Sequence, residues 1–293
     1  MLYKKGERVR HPKLADWGLG EVLADSGNDS VKVFFVGVGE KFLSLKYVQP
    51  VHVSSENAHH PVLDNLKVQK CTSKFKYQSL EQSVDCFLTR FPDGFYGELF
   101  KKEVGKGKEK AHKQAEELLN EDLLIDCIIT GDHQQITENV LAVVHASKLF
   151  SSVEKSDLKK ALSKADAQKK FSLCLYKLLY CKEKLQGRFV SFSKVLQELN
   201  IAKWSIASYF LFIMQPKRYM FIKPNSMQHA SELCGFEINF KAQVNWLTYE
   251  STLKFSEYLF TELAELKPRD MTDVQLFMCC IAPIQGETKV RHL

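Results

Sequence analysis

The segment Trp204–Met214, WSIASYFLFIM, carries no charged residue over eleven positions and constrains the chain more than any other stretch. Its length falls well short of the roughly 20 apolar residues that a membrane-spanning helix needs. A short helix without a polar face must instead be enclosed by other elements of the same protein. Pro216 ends the run, since proline lacks a backbone donor and disfavours helix in the residue before it. The segment therefore predicts a helical domain with this helix at its centre.

The flanking sequence supplies the enclosure. From Gln78 onward apolar residues recur at helical spacing: Leu80, Val84, Phe87, Leu88 and Phe91, then Phe171, Cys174, Leu175, Leu178 and Leu179, then Phe189, Phe192, Val195, Leu196 and Leu199. Pro92–Gly97 breaks the first series, Glu103 to Asn120 reads as a charged, solvated helix, and Ile136 to Phe150 as another. Ser156-Asp157 is expected to cap a helix over Leu158 to Leu162, Gly235 to close one over Ser226 to Cys234, and Thr272 to cap a last one through Ile281. A long amphipathic helix is expected over Thr248 to Leu266, before Pro268. About nine helices result, with Phe236 to Phe240 the one extended piece.

Five segments of this half, Phe91-Pro-Asp-Gly-Phe95, Arg218-Tyr-Met-Phe-Ile-Lys-Pro224, Cys234-Gly-Phe-Glu-Ile-Asn-Phe240, Asn245-Trp-Leu-Thr-Tyr249 and Pro268-Arg-Asp-Met-Thr-Asp-Val-Gln275, resemble an uncharacterised family of bacterial proteins. The resemblance implies a recurring structural unit and no chemistry.

The first fifty or so residues obey a different periodicity. Val31, Val33 and Phe35 fall on one face of a strand, with Lys32 and Phe34 on the other. Strands are also expected at Arg8–Arg10, Trp17–Leu23, Lys41–Leu45 and Tyr47–Val53, separated by turns at Asp25–Asp29 and Gly37–Glu40. Five short strands joined by glycine turns predict a small closed barrel. The expected organisation is α+β and multidomain: a barrel over 1–55, a polar linker over 56–75, and a larger all-α domain over 76–293.

Lys5-Gly-Glu-Arg-Val-Arg-His-Pro12, Trp17-Gly-Leu-Gly-Glu-Val22, the Val31–Phe35 strand and Gly39-Glu-Lys-Phe-Leu-Ser-Leu45 together resemble a Tudor-like (SH3-like) barrel. Such barrels end UvrD/PcrA-type helicases, and a similar one contacts RNA polymerase in CarD-type transcription factors. The resemblance covers under a fifth of the chain and implies contact with protein or nucleic acid, not catalysis. Trp17, ahead of the glycines, is expected either at the barrel's mouth or plugging the barrel core.

Net charge is +6, with 41 basic against 35 acidic residues, so a nucleic acid or an acidic protein is an admissible partner without being demanded. Eight cysteines occur without CxxC spacing, and Met1-Leu-Tyr-Lys-Lys lacks the apolar core of a signal peptide. A cytoplasmic protein with reduced cysteines and no membrane association is expected.

Metal and cofactor chemistry find no template. His59-His60 and Cys279-Cys280 are adjacent rather than spaced for zinc, and Cys174 and Cys181 have no histidine nearby. Asp93, Glu98 and Lys101 lie in and beside a glycine turn, which suits a magnesium-dependent nuclease poorly. Gly105–Lys108 lacks the serine or threonine of a phosphate loop. No cofactor is implied, and the chain is expected to be non-enzymatic.

Three groups remain as candidate sites. Arg8, Arg10, His11 and Lys13 surround Trp17 and Phe34, a mixture suited to a nucleic-acid backbone or a protein hot spot. Lys101 and Lys102 begin a lysine-rich stretch through Lys106, Lys108, Lys110 and Lys113. Arg218, Lys223, Asn245, Trp246, Arg269 and Asp270 would form a pocket in the helical domain if they converged, and otherwise fix how helices meet. The leading expectation is an adaptor whose barrel docks onto RNA polymerase or a helicase–DNA complex while the helical domain binds a second partner. An enzyme acting on nucleic acid through the helical pocket, in phage defence or mobile-element biology, and a structural subunit are the alternatives.

Overall fold

A computed structural model of the chain describes residues 2–68, 76–104 and 107–281. Two compact units result, one made of Met1–Arg90 with Gln228–Ile238, the other of Phe91–Met227 with Asn239–Leu293. These limits differ from the expected 1–55, 56–75 and 76–293.

The first unit is built on a five-stranded antiparallel sheet: β1 (Arg8–Arg10), β2 (Leu19–Val22), β3 (Ser30–Phe35), β4 (Gly39–Ser44) and β5 (Val51–His52), in the order β4-β3-β2-β1-β5. Two helices follow, α1 (Pro61–Asp64) and α2 (Leu80–Arg90). Alternation sets the faces. Val9, Val22, Val31, Val33, Phe35 and Leu43 point inward and join Tyr3 and Leu45 in one core, with Trp17 partly buried against it.

The opposite face carries two cross-strand rows. Arg8 faces Glu21, Glu21 faces Phe34, and Phe34 faces Glu40. Two residues along, Arg10 lies between Val51 and Leu19, and the Val36 amide donates to the Leu19 carbonyl.

Phe34 departs from expectation. It is 1% exposed, because Tyr77 packs edge-on at 4.7 Å between ring centroids. The Tyr77 hydroxyl also donates to the Val36 carbonyl. Gly235 completes the cover in a conformation that favours glycine: φ is +64°, and a Cβ would crowd the Tyr77 ring at 3.1 Å and Phe34 at 3.2 Å. The described part of the expected linker is likewise tied in. Leu66 forms a β-bridge with Phe236, the Lys67 amide donates to the Gly235 carbonyl, and the Glu237 amide donates to the Asn65 carbonyl. Residues 69–75 of that linker, with Cys71, lie outside the described residues.

The second unit is helical. It holds α3 (Glu98–Val104), α4 (Gly107–Leu118), α5 (Glu121–Thr130), α6 (His133–Ala146), α7 (Ser152–Ala161), α8 (Ala165–Tyr180), α9 (Leu185–Glu198) and α10 (Trp204–Met214). After α11 (Pro224–Leu233), within which the division between the units falls, come α12 (Trp246–Glu262) and α13 (Met271–Ile281). From α2 onward the described residues thus form twelve α-helices, not nine.

The apolar run is the central helix α10, with nine of its eleven residues buried. It packs against α4, α8 and α9. Phe210 places its ring 5.9 Å from Phe171 of α8 and 6.1 Å from Phe192 of α9. Where α9 meets α12, Phe189 stacks on Tyr249 at 4.2 Å with planes 5° apart. Edge-to-face and offset ring pairs of this kind add to the burial that holds the helices together.

Two expected caps are placed differently. Ser151 with Glu154 forms a complete capping box on α7, so that helix begins before Ser156-Asp157. At α13, Asp270 accepts from the Thr272 amide, making the aspartate the capping group rather than Thr272. In both cases a side-chain acceptor nearer the true first turn satisfies the free amides. No helix among the described residues is long and apolar enough to cross a membrane.

Candidate functional site

Within the sheet unit, the Arg10–Leu19–Val36 row floors a groove of about 360 Å³. Asp16, Gly18 and Gly37 form one wall, and Asn57, His59 and His60 the other. The first wall exists because the two turns touch. A Cβ on Gly37 would lie 2.3 Å from the Asp16 carbonyl, so only glycine permits this approach. The second wall is held by Arg8, which donates to the Ala58 carbonyl and pairs with Asp64 at 2.9 Å. The volume lies in the range of small-ligand and side-chain pockets.

The two arginines of β1 therefore differ in kind. Arg8 is paired with Glu21 as well as Asp64 and works as a structural clamp. Arg10 is exposed, and among the described residues its side chain has no hydrogen-bond or ion-pair partner. An exposed guanidinium beside a pocket, hydrated in the free protein, is suited to a carboxylate or phosphate.

His60 shapes the groove's electrostatics. Burial pushes its imidazole below the ordinary range, opposed by Asp64 and assisted by the Arg8 charge. Its Nδ1 accepts from the Val62 amide at 3.2 Å, which also favours the neutral ring. His59 is exposed and lies 3.5 Å from Asp64.

Around the corner from the groove, Trp17 is bracketed rather than free. His11 tilts onto it at 4.8 Å, Phe35 meets it edge-on at 5.2 Å, and the Lys41 ammonium lies 5.7 Å from its centroid. His11 Nδ1 accepts from the amides of Lys13 and Leu14, shaping the turn that carries exposed Lys13. Of the candidates on the sheet, His11, Lys13 and Trp17 therefore form one cluster, Arg10 lines the groove apart from it, Arg8 is held by structural contacts, and Phe34 is withdrawn beneath Tyr77.

In the helical unit, Lys101 and Lys102 are exposed, and Lys101 pairs with Glu98 at 3.1 Å. Lys106 and the Lys108 side chain lie outside the described residues. Asn245 caps α12 through the Thr248 amide. Trp246 packs edge-on to Phe189 and Tyr249 at 5.9 and 6.2 Å. Arg269 clamps Asp273 with two bonds of 2.8 and 2.9 Å, and that carboxylate is 1% exposed. Arg218 and Lys223 are exposed, the former over the Tyr219 ring at 5.4 Å. Among the described residues no group of three or more His, Cys, Asp and Glu could hold a metal ion.

The groove residues that sequence reasoning missed are Asp16, Leu19, Val36, Asn57, His59 and His60, with Lys41 beside Trp17. Leu19 and Val36 follow from strand register once Arg10 is fixed. The histidine wall does not, because its position depends on the Arg8 contacts.

The unit so defined is a small antiparallel sheet with an open cation in a groove. Residues 3–53, the span of that sheet, match the model of a family described as a protein of unknown function (DUF3553). The match leaves the helical unit untouched. No curated protein and no solved structure matches the chain.

Proposed function

We propose that the chain is a non-catalytic adaptor that docks through its N-terminal sheet, read as a rolled SH3-like barrel of the Tudor-like kind. The observation that carries this reading is the open Arg10 groove, with the His11–Trp17–Lys41 cluster as a second candidate contact on the same unit. Strand order and the enclosed valine-rich core support the barrel reading, although no ladder joins β4 to β5 among the described residues. A free guanidinium, a half-buried indole and exposed lysine together suit an acidic, aromatic-tolerant protein surface. RNA polymerase or a helicase–DNA complex in the cytoplasm is the partner to which the motif resemblance points. Four of the six helical candidates already serve caps, ring packing or an ion pair, which favours an adaptor over an enzyme.

Surface-immobilised RNA polymerase core and a UvrD-type helicase on forked DNA are the two partners to test against the full chain. Wild type is expected to bind one of them, and Arg10→Glu with Lys13→Glu to weaken it at least about tenfold with unchanged thermal unfolding. Equal binding by the folded variant, or no binding of wild type to either machine, overturns the reading.

A further inference from the structure

The chain's positive charge is not spread over it. Between positions 148 and 203 there are thirteen lysines and arginines against five acidic residues, a net of +8, so the remainder of the chain carries −2. That interval is α7, α8 and α9 with their connections. We infer that α8, with the connections at its two ends, binds the phosphate backbone of a nucleic-acid duplex. The inference goes beyond the docking groove and stands without it, since it rests on a different unit and a different observation.

Helical geometry orders the charges. On α8 the exposed positions Asp166, Lys170, Leu173 and Lys177 follow one another at intervals of four, three and four, which forms a single stripe, with Lys169 at its side. Exposed Lys164 precedes the helix and exposed Lys182 and Lys184 follow it, so cations continue past both ends. Sixteen helical residues span about 24 Å, a length over which duplex DNA presents about fourteen charges.

Several cations of the interval are consumed locally. Lys155 donates to the carbonyls of His145 and Ser147, Arg188 to those of Leu178 and Glu183, and Lys203 pairs with Asp157 at 2.8 Å. Lys170 pairs with Asp166 at 3.2 Å, an exposed i,i+4 pair that a phosphate readily replaces. Lys164, Lys169, Lys177, Lys182 and Lys184 make no ion pair among the described residues. Helix dipoles account for lysines in the last turn of α8, but not for Lys164 and Lys169 at its positive end.

Charge complementarity selects the occupant. An interfacial membrane helix inserts aromatic and large apolar side chains between its lysines. Here the exposed apolar residues of α8 and α9 are Leu173 at 36% and Val190 at 49%, with no exposed aromatic residue between them. The rail thus fits a polyanion contacted from outside, without base readout.

The test uses the full chain and a fluorescein-labelled 20-base-pair duplex, with anisotropy measured from about 50 to about 200 mM salt. Wild type is compared with Lys169→Glu/Lys177→Glu/Lys182→Glu/Lys184→Glu, and with a control of equal charge change, Lys4→Glu/Lys76→Glu/Lys241→Glu/Lys254→Glu. The expected result is duplex binding that the rail variant weakens by at least about a hundredfold, with a flatter salt slope, while the control stays within about threefold of wild type. Circular dichroism confirms that both variants are folded, and Lys→Gln at the same four positions replaces any that is not. No wild-type binding at the lowest salt, or equal losses in rail and control variants, overturns the inference. Binding to phosphatidylserine vesicles without binding to the duplex overturns it in favour of a membrane surface.

Discussion

The helical unit and the sheet unit differ in how far their polar motif residues are drawn into structure. In the helical unit, Asn245 caps α12, Asp270 caps α13, and Arg269 neutralises the buried Asp273 carboxylate, while Arg218 and Lys223 stay exposed and line no described groove. In the sheet unit, one row across the strands is closed and its neighbour is open. Arg8 is held by Glu21, Asp64 and the Ala58 carbonyl, whereas Arg10, two residues further on the same face, is left over a groove. A motif rich in charge is therefore no guide to a site. A cation that lines a groove without a protein partner is the better candidate.

The contrast can be broken most forcefully at the ring stack of the helical core. Phe189→Ala should cost about 3–5 kcal/mol, because it empties a fully buried site facing Tyr249. Phe42→Ala, at a ring 76% exposed on β4, should stay within about 0.5 kcal/mol. Urea unfolding of both variants measures the difference, and similar losses would show that the aromatic stack does not organise the helical unit.

A smaller effect sharpens the distinction between buried and open charge. Asp273→Ala should lower stability by about 1–3 kcal/mol, discounted because Arg269 keeps 38% of its side chain in solvent. Arg269→Met/Asp273→Leu should recover much of that loss by removing both charges together. A double variant as unstable as the single one contradicts the pairing.

The smallest effect is a pH dependence of the groove wall. His60 is held neutral in the fold by burial, so the unfolded chain takes up its proton first as pH falls. Its stabilising contribution is complete above the ordinary imidazole range and is lost as pH drops through the lower folded value. His60→Asn keeps the capping acceptor and should therefore flatten the decline in stability from about pH 7 to about pH 5. Thermal unfolding at several pH values reads this directly, and parallel declines would remove His60 from the account.

The two units also differed in how much their sequence disclosed. Alternation at Val31, Val33 and Phe35 and the uncharged run of α10 specify sheet and central helix, since both patterns are local. Phe34 shows the limit. Alternation puts it on the outer face, but its cover comes from Tyr77 and from Gly235, two hundred positions away, which no local pattern can announce. The capping box at Ser151 and Glu154 was present in the sequence as a serine followed three residues later by glutamate. The adjacent Ser156-Asp157 offered a competing cap but lies inside α7. The groove was half legible: Arg10 and Trp17 stood out by residue type, whereas His59 and His60 became a wall only through the contacts of Arg8.

Arg8 and Arg10 give the most direct test. Each is replaced by methionine in the full chain, and unfolding midpoint and binding to RNA polymerase core or the helicase–DNA complex are measured side by side. Arg8→Met should lower stability by about 1 kcal/mol and leave binding by the folded protein intact. Arg10→Met should leave the midpoint unchanged and weaken binding at least about tenfold. A binding loss confined to Arg8→Met, or a stability loss confined to Arg10→Met, would contradict the assignment of one arginine to the fold and the other to the partner.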